Sequence, residues 1–302
     1  MMKIFRWLVI SIFAFPSLLI SYERTFDVCA IFKNEARFLS EWIDYHRLVG
    51  VECFWLYNNN SEDNYLEVLD PYIKDGIVHL KEWPSEMQEN DWSQHSFVMQ
   101  TGAYIDCIQA VRGKTKWVAL IDIDEFIVPV SSDSVVEILE SDFDGVSGLC
   151  INWILFGTSH VPEIKSDELM IETLILRAPF NHPKNLLYKS IVFPEHVKDC
   201  VNPHYCLYQD DYWHVDTNKN KVDHFMFPEL RVEKIKLHHY WSKDIKFFLE
   251  EKIPRYIRWG TPRDNIDIMI QENNRLNSEE DFEMQRFIPR LKKERINNFV
   301  VG

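Results

Sequence analysis

The stretch WVALIDIDEFIVP, Trp117 to Pro129, sets three carboxylates, Asp122, Asp124 and Glu125, within four positions after a mostly apolar run. A buried strand that ends on crowded negative charge needs a positive partner, because an unpaired carboxylate away from water is costly. A hard divalent cation meets that need: Mg²⁺ or Mn²⁺ takes one or two carboxylates and fills its shell with phosphate oxygens. On a strand, Asp122 and Asp124 share a face. A turn at the strand end lets one bind the ion directly and the other through water or ribose. The expected chemistry is a metal carrying a diphosphate. The competing reading is a solvated strand end, or salt bridges to Lys and Arg, which a chain with 47 Asp plus Glu offers often by chance.

Such a site must be positioned by the elements around it. DVCAIF reads as a strand, KNEARFLSEWIDYHRLVG as a helix with Phe38, Leu39, Trp42, Ile43 and His46 on one side and Gly50 at its end. VECFWLY is a second strand and YLEVLDPYIKDG a helix broken at Asp70-Pro71. IVHLKEW is a third strand, Ser96 to Val111 a long helix, and KWVALIDI a fourth strand. Strand and helix in alternation predict an α/β fold with a doubly wound, mostly parallel sheet, since parallel neighbours need a crossover helix. Ligands in such folds gather at the carboxyl ends of the strands. Lys33-Asn34-Glu35 end the first strand, Asn58 to Asp63 (NNNSED) the second, and Asp122 to Glu125 the fourth, so three polar clusters are expected to line one crevice. No GxGxxG or GxxxxGK[ST] phosphate cradle occurs, with only 9 glycines in the chain.

Beyond Val130 the alternation weakens. GLCINWILFGTSH, MIETLILRAP and LYKSIVFP read as strands, and His196 to Phe227 as loop-rich. LRVEKIKLHHYWSKDIKFFLEEKI reads as a strand ending near His239 and a helix beginning near Ser242, and the charged tail from Asp264 as helical. With no repeat, low-complexity tract or Pro/Gly/Ser linker, residues 22–260 form one elaborated domain and 261–302 its helical extension.

Composition removes other classes. The 302 residues are 46% hydrophobic, enough for a full core, and the formal net charge of −14 disfavours a nucleic-acid surface. In residues 1–21, Lys3 and Arg6 precede an apolar run from Trp7 to Ile20. That run is short for a bilayer span of about 20 residues and suits a signal peptide or N-terminal membrane anchor, placing the protein at a membrane or in a secretory compartment. The alternative is a buried N-terminal segment of a cytoplasmic enzyme. Cys29, Cys53, Cys107 and Cys150 read as core thiols, while Cys200 and Cys206 pair in an oxidising compartment or stay free. No CxxC supports a structural zinc site. The sequon Asn59-Asn60-Ser61 falls inside the proposed crevice, where a glycan would obstruct it.

The segments VCAIFKNEARFLSEWIDYHRLVGVECFWLYNNNSEDN, QTGAYIDCIQ and WVALIDIDEFIVP resemble glycosyltransferase family 92, relatives of the large family 2 with a GT-A fold. YKSIVFP and KIKLHHYWSKDIKFFLEEK resemble later blocks of that family. The match departs in the second loop, where Asn replaces the leading acids, at His238, where Asn is commoner, and at Lys246 and Phe247, where acids are usual. The resemblance implies an inverting hexosyltransferase that moves a sugar, galactose by analogy, from a UDP-sugar to a hydroxyl of a glycan or glycolipid, with Mn²⁺ or Mg²⁺. It implies that Asp122 contacts ribose or metal, that Asp124 binds the metal and that His239 completes the coordination. Glu35 and Asn59 then hold the uridine, Lys33, Asn34, Asp63 and Gln100 shape that pocket, and Lys189 faces the diphosphate or the acceptor.

Plainer roles compete with these. His239 also reads as a packed core histidine, Lys189 as a surface lysine, and Trp83, Trp92, Trp153 and Trp213 as core or edge packing rather than sugar platforms. His95, His182, His196, His204 and His214 form no helical i, i+4 pair, which leaves a second metal site unsupported. A carboxylate base for the acceptor hydroxyl is sought among Glu163, Glu195, Asp199, Asp210 and Asp211. Two other function classes remain open at this point. One is a non-catalytic carbohydrate- or metal-binding protein of the same fold. The other is a phosphatase with an aspartyl nucleophile, a class that carries Asp-x-Asp on its first strand.

Overall fold

The computed structural model describes residues 21–84, 92–223, 229–258 and 260–300. The signal or anchor expected within residues 1–21 thus lies, but for Ser21, outside the described residues, as do the side chains of Trp92 and His95. No helix among the described residues is long and apolar enough to cross a membrane.

Four parallel strands, β1 (Arg24–Phe32), β2 (Cys53–Asn58), β3 (Val78–Glu82) and β4 (Thr115–Leu120), lie in the order β3-β2-β1-β4. Helices α1 (Ala36–Leu48), α2 (Tyr65–Lys74) and α3 (Trp92–Val111) make the crossovers. This is the α/β arrangement the alternating pattern predicts. α2 continues through Pro71 instead of breaking there. Both Pro71 and Glu67, whose carbonyl loses its helical partner, are exposed, so that carbonyl is open to solvent and the missing hydrogen bond costs little there.

Next come β5 (Glu125–Pro129), α4 (Val135–Asp142), β6 (Gly148–Leu155), α5 (Met170–Thr173) and β7 (Leu176–Arg177). MIETLILRAP is therefore one helical turn and a two-residue strand, not a full strand. Glu41 in α1 accepts the Met170 and Ile171 N–H groups at 2.8 and 2.9 Å and turns the chain there. β8 (Tyr188–Val192) inserts antiparallel between β4 and β6. The loop-rich stretch holds a hairpin, β9 (Val197–Asn202) and β10 (Tyr205–Tyr208), and two short strands, β11 (His214–Val215) and β12 (Lys221–Val222). Cys200 and Cys206 face each other across that hairpin as buried thiols, their Sγ atoms 2.8 Å apart.

Strand β13 (Ile235–His239) runs antiparallel to β5 and parallel to β6. After it come α6 (Ile245–Phe247), a π-helical turn over Phe248–Lys252, α7 (Ile253–Arg258), α8 (Arg263–Leu276), β14 (Glu279–Glu280) and α9 (Ile288–Val300). The C-terminal extension is part of the same core: Leu276, Phe287, Ile288 and Leu291 are buried in the cluster that holds Phe38, Trp42 and Phe126.

Among the described residues strand β5 pairs only with β13, and α1 side chains hook its other edge. Trp42 Nε1 donates to Glu125 O at 2.8 Å, Tyr45 OH donates to Ile127 O at 2.9 Å, and His46 Nε2 accepts from Ile127 N at 3.2 Å. The i, i+3, i+4 spacing puts all three on one helix face. The turn before β5 is thereby held from both sides.

Candidate functional site

Asp122 and Asp124 lie in the turn between β4 and β5, and not on β4 as their strand-like spacing suggests. Glu125 closes the turn, its Oε2 accepting the Asp122 N–H at 2.8 Å. It is fully buried. Burial drives its carboxyl well above the usual range against the pull of Lys189, and the neighbouring Asp122 and Asp124 add to the rise. A shift in that direction favours the neutral form and so eases the crowding of three acids.

Register with β5 delivers the histidine. His239 stands opposite Glu125 and Tyr240 N donates to Asp124 O at 2.8 Å, which brings His239 Nε2 to 3.4 Å from Asp124 Oδ1. The ring is buried, tilted over Trp153 with centroids 4.4 Å apart, and its Nδ1 has no hydrogen-bond partner. Burial lowers the His239 pKa, with Asp124 opposing. The other Asp124 oxygen meets Lys252 Nζ at 2.9 Å. Although burial penalises its charge, Asp124 is held well below the usual carboxylate range by Lys252 and His239.

Asp122 is one-third exposed, and its two oxygens meet Gln100 Nε2 at 2.5 Å and Lys189 Nζ at 3.0 Å. Lys189 projects from β8 and is only 1% exposed, so it is not a surface lysine. It also reaches Glu125 Oε2 at 3.8 Å and the Tyr104 hydroxyl at 3.3 Å. Burial works against its charge, yet Asp122 and Glu125 outweigh it and raise its pKa.

The two remaining polar clusters are zipped together. Asn34, with φ of 55°, gives its N–H to Ser61 Oγ at 2.9 Å and takes the Glu62 N–H on Oδ1 at 2.9 Å. Asp63 Oδ2 accepts the Ala36 N–H at 2.8 Å and so caps α1 from the neighbouring loop, where Glu35 makes no side-chain cap. Asp63 Oδ1 is buried and unpartnered. Asn59 Nδ2 donates to Trp83 O at 2.9 Å and Asn58 Nδ2 to Glu82 Oε2 at 2.8 Å, which ties both amides to the end of β3. Glu35 is ion-paired with buried Lys243, and Arg255 stands 4.0 Å from its other oxygen. Arg255 also donates to Lys33 O at 3.0 Å. Burial lowers the Lys243 pKa, against Glu35.

The sequence-predicted residues thus divide into joined sets. Asp122, Gln100 and Lys189 form one, Asp124 and His239 a second, and Lys33, Asn34, Glu35, Asn59 and Asp63 line the adjoining strand ends. Asp122, Asp124 and His239 offer two carboxylates and an imidazole, donor types that a divalent cation accepts, but they are not among the groups of described residues whose ligand atoms all lie within 4.8 Å of one another. Lys243, Lys252 and Arg255 were not singled out as site residues, although the first two lie inside the block KIKLHHYWSKDIKFFLEEK. They follow His239 across the end of a strand, a turn and separate helical segments, so no single period links them to it, and the π-helical turn that aims Lys252 is a tertiary feature.

Among the acids considered as base, Glu163 is paired with Lys246 at 2.7 Å, next to Ile164, whose N–H Asp244 accepts. Glu195 binds Gly113 N at 2.7 Å, at the amino end of β4, and Gln209 Nε2 donates to Glu195 O beside Asp210 and Asp211. Glu195 thus stands at the opposite end of β4 from the 122–124 turn. Asp199 lies on the hairpin strand β9 and accepts the Cys200 N–H. Trp153 packs on His239, Trp83 Nε1 donates to Met99 O, and Trp213 is exposed under Lys221. A separate group, His238, Asp281 and Glu283, has its ligand atoms within 4.8 Å of one another. Its acids are already paired with Arg177 and Lys236, so it reads as an ion-paired knot under β13.

The sequence model of the family described as Glycosyltransferase family 92 matches residues 24–269. A glycosyltransferase family 92 protein of Ricinus communis is 27% identical over 221 residues, covering 70% of this chain and 37% of the relative. The beta-1,4-galactosyltransferase galt-1 of Caenorhabditis elegans is 23% identical over 235 residues, 76% of this chain and 50% of that protein. This chain spans half or less of the length of those two relatives. Among solved structures, S. aureus TarS 1–349 in complex with UDP-GlcNAc is similar over 67% of this chain and 60% of that one, with a TM-score of 0.35 and 11% identity.

Proposed function

This chain belongs to glycosyltransferase family 92, and from that premise we propose that it transfers a hexose from a UDP-sugar to a hydroxyl of a glycan or glycolipid, with inversion and with a divalent cation at Asp122, Asp124 and His239. Galactose is the favoured sugar, on the strength of relatives named as galactosyltransferases. The observation that carries the reading is the register of β13, which sets His239 against Asp124 in a turn that also presents Asp122. Asp122, Asp124 and His239 would hold the cation, which would supply charge neutralisation for the departing diphosphate without a proton transfer.

The chain's own residues do the rest. Glu125 and the three α1 hooks fix the turn, and Lys189 with Gln100 aims Asp122. The zipped loops of Asn34 and Asp63 hold the uridine side, with Glu35 and Asn59 nearest the nucleoside. The acceptor hydroxyl must give up a proton as it attacks, which calls for a carboxylate base on the acceptor side. Manganese-dependent turnover of UDP-sugars by the purified chain tests the proposal. Asp124→Ala is expected to lower turnover at least about a hundredfold, the scale of losing one preorganised charge contact. Unchanged turnover in that variant would falsify the assignment.

A further inference from the structure

Around the strand ends, three carboxylates meet three ammonium groups: Asp122 with Lys189, Asp124 with Lys252, and Glu35 with Lys243. Lys189 is fixed in the sheet between β4 and β6. Lys252 is different in kind. It ends a π-helical turn, a wound-in extra residue of the kind frequent at functional sites. Its stem is buried, and its ammonium lies 5.3 Å from the Trp241 ring centroid.

Its place is the face of Asp124 that a metal needs. With His239 on one oxygen and Lys252 on the other, Asp124 has no oxygen free of a positive or donor neighbour. A divalent cation entering alone must expel an ammonium group and then stand beside it, with no new negative charge nearby. A nucleoside diphosphate entering with the cation changes that sum, because its oxygens take the displaced ammonium. We propose that Lys252 is a resident counter-ion that trades Asp124 for the diphosphate of the donor, so that cation and nucleotide bind as a unit. Lys252 is then a positioning residue for the leaving group, and Lys243 on Glu35 neutralises the nucleoside side of the same site. This rests on the donor-binding reading above.

The test measures binding, not turnover. Free Mn²⁺ is followed by electron paramagnetic resonance with the full chain, with and without UDP, in wild type, Lys252→Met and Lys252→Arg. Wild type is expected to bind Mn²⁺ weakly alone and about tenfold or more tighter with UDP, within the usual range of coupling between sites. Lys252→Met keeps the stem, and is expected to bind Mn²⁺ alone about tenfold tighter, with weaker UDP binding and little mutual enhancement. Lys252→Arg keeps the charge and is expected to stay close to wild type. Should Lys252→Met fail to fold, Lys252→Gln takes its place. If wild type binds Mn²⁺ with UDP but Lys252→Met takes Mn²⁺ alone no better, the counter-ion inference is overturned while the donor site stands. If wild type binds neither, both fall.

Discussion

At the scale of single residues, the acidic turn is a problem of buried charge solved in two ways at once. Glu125 is pushed toward its neutral form, while Asp122 and Asp124 each face a lysine. Removing a partner from such an arrangement costs more than the pair contributes, because a charge is left behind without compensation. Lys189→Met is therefore expected to lower stability by about 3 kcal/mol, the low end for a broken buried pair, since Asp122 keeps some contact with water. Adding Asp122→Asn in the same chain should recover part of the loss. Urea unfolding of the single and double variants measures both, and a double variant less stable than Lys189→Met refutes the pairing argument.

At the scale of elements, α1 organises the site without entering it. Its Trp42, Tyr45 and His46 occupy the edge of β5 that no strand among the described residues covers. His46 can do so only as a neutral ring: Nδ1 donates to Trp42 O at 2.8 Å and Nε2 accepts from Ile127 N. Burial takes its pKa down to about 3, with the Trp42 carbonyl opposing. The folded value is thus below the ordinary value of about 6.5 that applies to the unfolded chain. As pH falls through 6.5 the unfolded chain takes up a proton that the folded one refuses, so stability is lost between pH 6.5 and about 3, and is unaffected by this group above pH 7. In a histidine-resolved NMR titration His46 should stay neutral down to about pH 4. A His46 midpoint near 6.5 would remove this account of how α1 grips β5.

At the scale of the whole molecule, the C-terminal extension and the glycosyltransferase domain share one interior. Leu291 on α9 is fully buried, α9 lies against α1, and Arg295 reaches Asp44 at 3.3 Å. Leu291→Ala is expected to destabilise the chain by about 2–5 kcal/mol, the usual loss for a truncated core leucine. It should do so in a single cooperative unfolding transition. A variant that leaves the main transition untouched would mean that α9 folds as a separate unit.

The sequence by itself determined the parts that depend on local order. Alternating apolar strands and amphipathic helices carried the α/β class, and the sequence marked the polar clusters at three strand ends, because side-chain periodicity and strand-end chemistry are written in neighbouring residues. It also carried the family, through DIDEF and the Asn-rich loop, and it placed His239 at the end of its strand. Tertiary structure alone decided what meets what. The 122–124 segment became a turn because β5 leaves β4 to pair with β13, a contact between residues more than a hundred positions apart. Asp63 became a helix cap, Lys189 a buried partner and Lys252 the cation on Asp124, each through a contact across the fold. No local period encodes such contacts, because the free energy that selects them comes from burying charge and apolar surface together, and only the folded chain specifies which groups are buried side by side.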